Sequence, residues 1–433
     1  MPEDTAIPFA RPFMGKEEEA AAVRVLRSGW LTTGAETLAF EKEFAAFLSG
    51  SAPGGFDGNV PAGGAPGRTA PLHALAVNSA TSGLHLALEA CGAGPGDAVL
   101  VPSYTFTSTA EVVRHLGAEP VFVDVTPGGF HMDPRALETT LERLFRGLPP
   151  YPPRPGRQSS GGRGFGPRGN PRAVIPVHYG GLPCDMKTIL AVSRRYGLKV
   201  VEDAAHAFPS RLADGSFAGT LGDAGVFSFY ATKTITTGEG GMVVCGDKQT
   251  ADRVSIMRSH GIDRSVWNRY TDTKASWYYE IVEAGYKYNL PDILGAIGRV
   301  QLSRAWDLLE KREAIAAQYD EAFGGDGAFI LPPAGPGNAR HLYPLRLNRK
   351  KISLGRDEFI EKLKDRGIGV SVHFIPLHTM PYYKNRYNLR DEDFPESLNS
   401  FSDNISLPIW PGMTESQIHR VITMVKTVKE DYT

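Results

Sequence analysis

The sequence predicts an α/β protein built around a mostly parallel β-sheet with helices on both faces. From His73 onward, short apolar runs alternate with segments of helical spacing, beginning with a strand at His73–Asn78 and a helix at Ser82–Cys91. The runs are apolar throughout, which is typical of strands covered on both faces. Such sheets bind ligands at the carboxyl ends of their strands, so functional residues are expected there.

The same alternation continues along the chain. Further strands are predicted at Ala98–Pro102, Pro120–Asp124, Ala173–His178 and Lys199–Asp203, and further helices at Ser108–Leu116, Pro134–Leu144 and Asp185–Tyr196. Residues 15–28 and 35–48 have helical spacing and predict an N-terminal helical arm.

A second, smaller α+β domain is predicted at the C-terminal end. The long amphipathic pattern Tyr288–Leu309 predicts a helix leading into it, so the domains are placed at residues 1–310 and 311–433. The smaller one is expected to contain strands at His341–Leu347 and Gly369–Phe374 and helices at Arg356–Arg366 and Glu415–Tyr432.

Two segments are not predicted to form helices or strands. Residues 50–70 are rich in Gly, Pro and Ala, and residues 146–172 hold arginines without acids among many Gly and Pro. Both are predicted to be flexible surface insertions, although an anion-binding role for the arginine-rich one is an alternative.

Composition excludes several classes of protein. With 47 basic and 48 acidic residues, the 433-residue chain has no global field that favours nucleic acid or a membrane surface. Its three widely spaced cysteines argue against a disulfide framework and against a zinc site. The acidic start and the absence of a stretch of transmembrane length lead us to expect a cytoplasmic protein.

Lys233 stands between two apolar runs, Val226–Tyr230 and Met242–Cys245. A glycine-rich turn, Gly238-Glu239-Gly240-Gly241, follows the lysine, and glycines let backbone approach a ligand closely. A loop lysine is usually just solvated, so this residue alone does not indicate chemistry.

Three further motifs fall at predicted strand ends. Asn78-Ser79-Ala80-Thr81-Ser82-Gly83 opens a helix whose free amides favour phosphate, although Thr81 or Ser82 could equally be an ordinary N-cap. Phe106 could stack on a planar ring or belong to the core. Asp203 ends an apolar strand, where a cationic ring nitrogen would be a suitable partner, or it could cap a helix.

Together these residues predict a site for pyridoxal 5'-phosphate (PLP). PLP needs a phosphate cradle, an aromatic residue against its ring, an acid at its pyridine nitrogen and a lysine that forms a Schiff base with its aldehyde. All four kinds of residue are predicted at one edge of one sheet.

The chain also resembles the DegT/StrS-type sugar aminotransferases, which are usually dimeric, fold-type I PLP enzymes. The resemblance lies in the segments NSATSGLHLAL, PSYTFTSTAEVV, VVEDAAHAFPS, FSFYATKTITTGEGGMVV, GYKYNLPDILGAIGRVQL, HLYPLRL and GVSVHFIPLHTMPYY, in the family's order. It covers nearly the whole chain outside the two insertions.

The resemblance implies a role for individual residues. Lys233 would hold the cofactor, Asp203 would pair with its ring nitrogen, Phe106 would stack on the ring and His206 would lie beside it. The phosphate would be bound by Ala80, Thr81 and Ser228, and by Lys287 or Asn289 of a neighbouring subunit, which implies a homodimer with composite sites. Substrate contacts are expected at Thr32, Thr33, His373 and His378, although His378 could equally be a hydrogen-bonded structural residue.

The implied reaction moves an amino group from L-glutamate to a nucleotide-linked keto sugar, giving 2-oxoglutarate and an amino sugar. A 4-keto-6-deoxy hexose or a keto-pentose is the expected acceptor, and a 3-keto sugar or keto-cyclitol is an alternative. A non-catalytic PLP-binding regulatory protein is a third possibility, which intact Lys233 and Asp203 disfavour.

Overall fold

The computed structural model describes residues 6–50, 71–152, 169–263, 278–325, 327–335 and 337–432. Its strands are β1 (His73–Val77), β2 (Asp97–Pro102), β3 (Glu119–Val123), β4 (Asn170–Val174), β5 (Lys199–Asp203), β6 (Ala224–Ser228), β7 (Gly241–Cys245), β8 (Phe329–Ile330), β9 (Tyr343–Leu347) and β10 (Asn404–Leu407).

The helices are α1 (Lys16–Ser28), α2 (Ala35–Leu48), α3 (Ala80–Ala90), α4 (Ser108–His115), α5 (Pro134–Phe145), α6 (Met186–Arg195), α7 (Lys248–Met257), α8 (Asp292–Ser303), α9 (Ala305–Phe323), α10 (Arg356–Asp365), α11 (Pro381–Tyr387), α12 (Pro395–Ser402) and α13 (Glu415–Asp431). None of these described helices is both long and apolar enough to cross a membrane.

Seven strands form one sheet in the order β1-β7-β6-β5-β4-β2-β3. The pairings from β6 through β3 are parallel, whereas β7 runs antiparallel to both β1 and β6. This confirms the prediction of an α/β protein with a mostly parallel sheet. The antiparallel β7 returns the chain from the Lys233 loop, so that Gly241 lies opposite Ser228.

The second sheet contains three antiparallel strands in the order β10-β9-β8. The predicted strand Gly369–Phe374 is wrong, because this segment makes one isolated bridge, between Ser371 and Ser406. Its remaining backbone groups are not in a ladder with β10.

The long helix predicted at Tyr288–Leu309 is two helices. Helix α8 starts only after Pro291, which is well suited to a helix start because it has no N–H to leave unpaired, and the chain breaks again at Arg304 before α9. Helix α9 places Leu308 in a core with the large sheet and Ile315 in a core with the small one. The domain boundary at 310/311, which falls within this helix, stays a prediction.

The described residues include only the edges of the two predicted insertions. Residues 51–70 and 153–168 lie outside the described residues. Of the arginine-rich segment, Tyr151 is buried and exchanges hydrogen bonds with the backbone of Phe122, and residues 170–172 belong to β4. Tyr151 anchors the start of this segment to the core.

Candidate functional site

A cavity of about 490 Å³ opens at the carboxyl edge of the large sheet. It is lined by the start of α3, the end of β5, the β6–β7 hairpin and the segment around His373. Eight of the predicted site residues line it: Ala80, Thr81, Phe106, Asp203, His206, Ser228, Lys233 and His373. Residues far apart in the sequence therefore meet as the strand topology predicts.

Helix α3 points its N-terminus into the cavity. Its N-cap is Ser79, whose hydroxyl accepts a hydrogen bond from the Ser82 amide at 3.1 Å, rather than Thr81 or Ser82 as the sequence suggested. Ala80 and Thr81 are consequently the first two helical residues, whose amides have no carbonyl to bond within the helix. Free amides at the positive end of a helix suit a phosphate group.

Gly241 brings β7 against this helix start. A methyl group at Gly241 would lie 2.7 Å from the Ala80 amide nitrogen and 2.9 Å from the Phe227 carbonyl oxygen. Only a glycine lets the hairpin that carries Lys233 pack this closely on the α3 N-terminus. The close packing of the hairpin on α3 therefore explains the last glycine of the glycine-rich turn, Gly241.

Lys233 follows β6 in a turn closed by a hydrogen bond from its amide to the Tyr230 carbonyl, at 2.9 Å. Burial lowers the pKa of its amine to about 8, while the nearby Asp203 carboxylate raises it. A lysine with a pKa near neutrality exists partly as the free amine, which is the form that attacks a carbonyl or accepts a proton.

Asp203 is buried at the end of β5, on the cavity side. Burial raises the pKa of its carboxyl group, and hydrogen bonds from the Ala205 amide and the Thr109 hydroxyl, at 3.2 and 2.9 Å, act in the opposite direction. Thr109 is a site residue that sequence reasoning missed, since a threonine in the first turn of a helix gives no signal of a partner 94 residues away.

The neighbouring acid, Glu202, faces the other side of the sheet. It is fully buried and accepts hydrogen bonds from His178 Nε2 at 2.9 Å and from the amides of Gly219, Leu221 and Gly222. Despite burial, these donors lower the pKa of Glu202, and the contacts with Cys184 and Glu202 raise that of His178 to about 10. Glu202 is thus a structural acid, because its oxygens are satisfied away from the cavity.

Three imidazoles form one wall of the cavity. His206 accepts a hydrogen bond from the Gly180 amide at Nδ1, and Nδ1 of His373 lies 2.9 Å from the Ser406 hydroxyl. The third, His341, was not singled out from the sequence; its ring centroid lies 4.4 Å from that of His206. Burial and the Lys233 charge lower the pKa of all three, that of His373 to about 4, so they are neutral at pH 7.

Five predicted residues are not part of the cavity lining within this chain: Thr32, Thr33, Lys287, Asn289 and His378. Thr32 and Lys287 are exposed. Thr33 donates to the Leu290 carbonyl at 2.6 Å and accepts from the Asn289 side chain at 2.7 Å. The Asn289 amide is therefore used inside its own chain, whereas the Lys287 ammonium is open to solvent.

The expected sugar contact at His378 is not supported. Its side chain is fully buried, stacks on Phe394 and has Nδ1 2.5 Å from the Ser103 hydroxyl, away from the cavity. A side chain enclosed in this way cannot reach a ligand, so His378 is a structural residue, the alternative that the sequence left open.

The cavity residues fit PLP. The α3 amides can hold its phosphate, the buried Asp203 is 4% exposed and lies on the cavity lining, and the exposed Phe106 lines the same cavity. A lysine, a buried acid and an anion-binding helix start around one cavity define a PLP-dependent transferase of fold type I.

The chain belongs to the DegT/DnrJ/EryC1/StrS aminotransferase family, whose model matches residues 12–52 and 69–426. It is therefore a PLP-dependent sugar aminotransferase, as the sequence motifs predicted.

Individual relatives match this chain over almost their whole length. The chain is 39% identical to the spore coat polysaccharide biosynthesis protein SpsC of Bacillus subtilis, over 98% of this chain and 97% of SpsC. A candidate sugar aminotransferase of Streptococcus pneumoniae, Spr1654, solved in pyridoxamine- and pyridoxal-phosphate forms, is 28% identical with TM-scores of 0.81 and 0.80, covering 98% of this chain and 99% of that one. PseC of Helicobacter pylori, an aminotransferase involved in pseudoaminic acid biosynthesis, is 25% identical with a TM-score of 0.80, covering 99% and 100%.

Proposed function

We propose that the enzyme transfers the amino group of L-glutamate to a nucleotide-linked keto sugar, a 4-keto-6-deoxy hexose or a keto-pentose. The observation that carries this proposal is the placement of Lys233 beside the buried Asp203 and the free α3 amides in one cavity. The choice of acceptor is supported by the relatives, since SpsC is named for polysaccharide biosynthesis and PseC for pseudoaminic acid biosynthesis.

Each cavity residue would have a distinct task. The Ala80 and Thr81 amides and the Ser228 hydroxyl would hold the cofactor phosphate, Phe106 would cover the ring, and His206 would lie at its edge. When bound, PLP supplies an aldehyde that condenses with amines and a ring that accepts electrons from the neighbouring carbon.

Lys233 would carry the proton in both half-reactions. With a pKa near 8, its amine can take a proton from the α-carbon of the donor and deliver it to the aldehyde carbon of the cofactor, and the reverse sequence would serve the sugar. Asp203, oriented by Thr109 and Ala205, would keep the ring nitrogen protonated. Keto-sugar contacts are proposed for His373 in the cavity and for Thr32 and Thr33.

The active unit would be a homodimer in which Lys287 reaches the phosphate site of the neighbouring subunit. Lys287 is favoured over Asn289 because the Asn289 amide already donates to Thr33. A cytoplasmic location is proposed because Cys91, Cys184 and Cys245 form no disulfide with one another.

The first test is the visible absorption spectrum of the purified enzyme with PLP, before and after L-glutamate, with Lys233→Ala as the control. We expect the cofactor band to change only when Lys233 is present, with stoichiometric 2-oxoglutarate. An unchanged band would refute L-glutamate as donor. Amination of a keto-cyclitol or a 3-keto sugar in preference to UDP-, dTDP- or GDP-linked 4-keto sugars would refute the acceptor.

Subunit mixing tests the composite site. The Lys233→Ala and Lys287→Ala dimers should each be inactive or weak alone. After subunit exchange, up to about a quarter of all sites should be intact, because up to about half of the dimers are mixed and each mixed dimer has one intact site. No recovery in exchanged dimers would show that Lys287 does not act across the interface.

A further inference from the structure

His341 is the cavity residue for which neither the cofactor site nor the proposed sugar contacts provide a role. It is 6% exposed and lines the cavity, and its Nδ1 is buried without a hydrogen-bond partner among the described residues. Nε2, the other ring nitrogen of His341, also has no hydrogen-bond partner among the described residues. Because unpaired polar atoms are costly, an imidazole left in this state beside a cavity indicates a missing ligand group.

The other two imidazoles of this wall are each engaged at one ring nitrogen. Nδ1 of His206 accepts from the Gly180 amide and Nδ1 of His373 lies against the Ser406 hydroxyl. His341 packs against His206 with ring centroids 4.4 Å apart and ring planes tilted by 50°, which holds its ring next to the cavity. It therefore offers a rigidly placed nitrogen that the protein itself does not use.

The neighbourhood of Lys233 limits what this nitrogen can bind. The reacting carbon of the amino donor must come within reach of the Lys233 amine, and its carboxylate is one bond from that carbon. Asp203, His206, His341 and His373 line the same cavity as Lys233. Asp203 would repel a carboxylate, which leaves the imidazoles.

The cavity offers no other built site for this anion. Among the described residues that line it, Lys233 is the one lysine, and arginine, the usual partner of a carboxylate, is not represented. The charged and titratable groups that act on His341 are Lys233, His206, His373 and the buried Arg312, and Asp203 and Glu239 also line the cavity. Arg312 donates to the Ile409 carbonyl at 2.9 Å and adds a favourable positive field behind His341.

We infer that His341 binds the α-carboxylate of the amino donor. This inference rests on the proposed function, because it takes an amino acid as the first substrate. The imidazole donates a hydrogen bond to one carboxylate oxygen and thereby turns the bond that breaks toward Lys233. The sugar acceptor has no such carboxylate, so His341 discriminates between the two half-reactions.

The test compares two non-reacting ligands on the PLP-loaded enzyme: α-methyl-L-glutamate, which has no α-hydrogen, and its 1-amide, which lacks the α-carboxylate charge. Dissociation constants are measured by calorimetry and by the cofactor absorption for wild type, His341→Phe and His341→Gln. Phenylalanine keeps a ring against His206 without nitrogens, and glutamine restores a hydrogen-bonding amide. Exposed His419 on α13 supplies the matched control, His419→Gln.

We expect His341→Phe to weaken the binding of α-methyl-L-glutamate about tenfold or more and the binding of the 1-amide less than about twofold. This is the effect of losing a hydrogen bond to a charged group. His341→Gln should recover part of the loss, and His419→Gln should match wild type. Equal losses for both ligands, no loss for either, or loss of PLP from both His341 variants would overturn the inference. A wild-type cofactor band unresponsive to L-glutamate would instead overturn the proposed function.

Discussion

The Thr109 hydroxyl donates a 2.9 Å hydrogen bond to Oδ2 of Asp203, and both side chains are buried. Thr109 Oγ1 also lies 2.9 Å from Thr105 Oγ1, so a short chain of hydroxyl groups leads from Thr105, ahead of helix α4, through Thr109 to the acid. Because this bond favours the ionised carboxylate, it counteracts the effect of burial on the pKa of Asp203.

Replacing Thr109 with valine keeps its shape and removes this bond. We expect Thr109→Val to raise the pKa of Asp203 and to slow the reaction with L-glutamate about tenfold or more, since a hydrogen bond to a charged group contributes about 1.5–3 kcal/mol. Stopped-flow absorption of the bound cofactor across pH measures both effects. Thr109→Ser should restore the wild-type pKa and rate, and a Thr109→Val enzyme with wild-type rates would show that the hydrogen bond is dispensable.

Gly241→Ala should weaken cofactor binding. The added methyl group would push the hairpin away from the Ala80 amide, and overpacking of this kind costs about 1–3 kcal/mol. We expect the dissociation constant for PLP, measured by fluorescence titration, to rise about fivefold or more. Gly94→Ala is the matched control, because a methyl group there meets nothing within 4 Å; identical PLP affinities for the two variants would contradict the role of Gly241.

The His178–Glu202 pair makes stability depend on pH. The pKa of His178 rises from 6.5 to about 10 on folding, so its contribution is fully present below pH 6.5 and is lost as pH rises toward 10. Urea unfolding at pH 6.5 and 9.5 should show this fall in wild type and a smaller one in His178→Gln, which should also be less stable by about 3–5 kcal/mol at pH 6.5. His419→Gln should behave as wild type; parallel pH dependences in all three proteins would argue against the ion pair.

The pKa of Lys233 predicts the pH dependence of cofactor capture. Only the free amine attacks the aldehyde, so the rate at which cofactor-free enzyme takes up PLP should rise with pH to a midpoint near 8. Asp203→Asn removes the negative charge that raises the Lys233 pKa, so its midpoint should be lower. A wild-type midpoint near 10.5, the value of an ordinary lysine, would disprove the effect of burial.

The sequence predicted those parts of the site that depend on strand ends. Asp203, Phe106 and the α3 start each follow an apolar run, and parallel strands bring such positions to one edge. His341 and Thr109 escaped prediction because their roles come from packing between segments distant in sequence. The two alternatives for the buried His378 could not be separated for the same reason, since its partners Ser103 and Phe394 are not sequence neighbours.

Errors in the fold have equally local causes. The pattern Tyr288–Leu309 keeps helical spacing across Arg304, and apolar periodicity alone does not reveal where a helix changes direction. The segment Gly369–Phe374 has the composition of a strand, but it makes a single bridge to β10. Its end turns toward the cavity, which His373 and Phe374 line.

The consecutive acids of β5 make the enzyme unusually sensitive to strand register. Successive side chains of a strand point to opposite faces, so Glu202 enters the protein interior while Asp203 enters the cavity. A slip of one residue in one direction would place Glu202, which is one methylene longer than Asp203, in the cavity and the apolar Val201 among the buried donors. A slip in the other direction would place Ala204 in the cavity, where it supplies no acid. Deleting or inserting a single residue within β5 should therefore abolish catalysis even where the chain still folds, which makes this strand unsuitable for length changes in engineered variants.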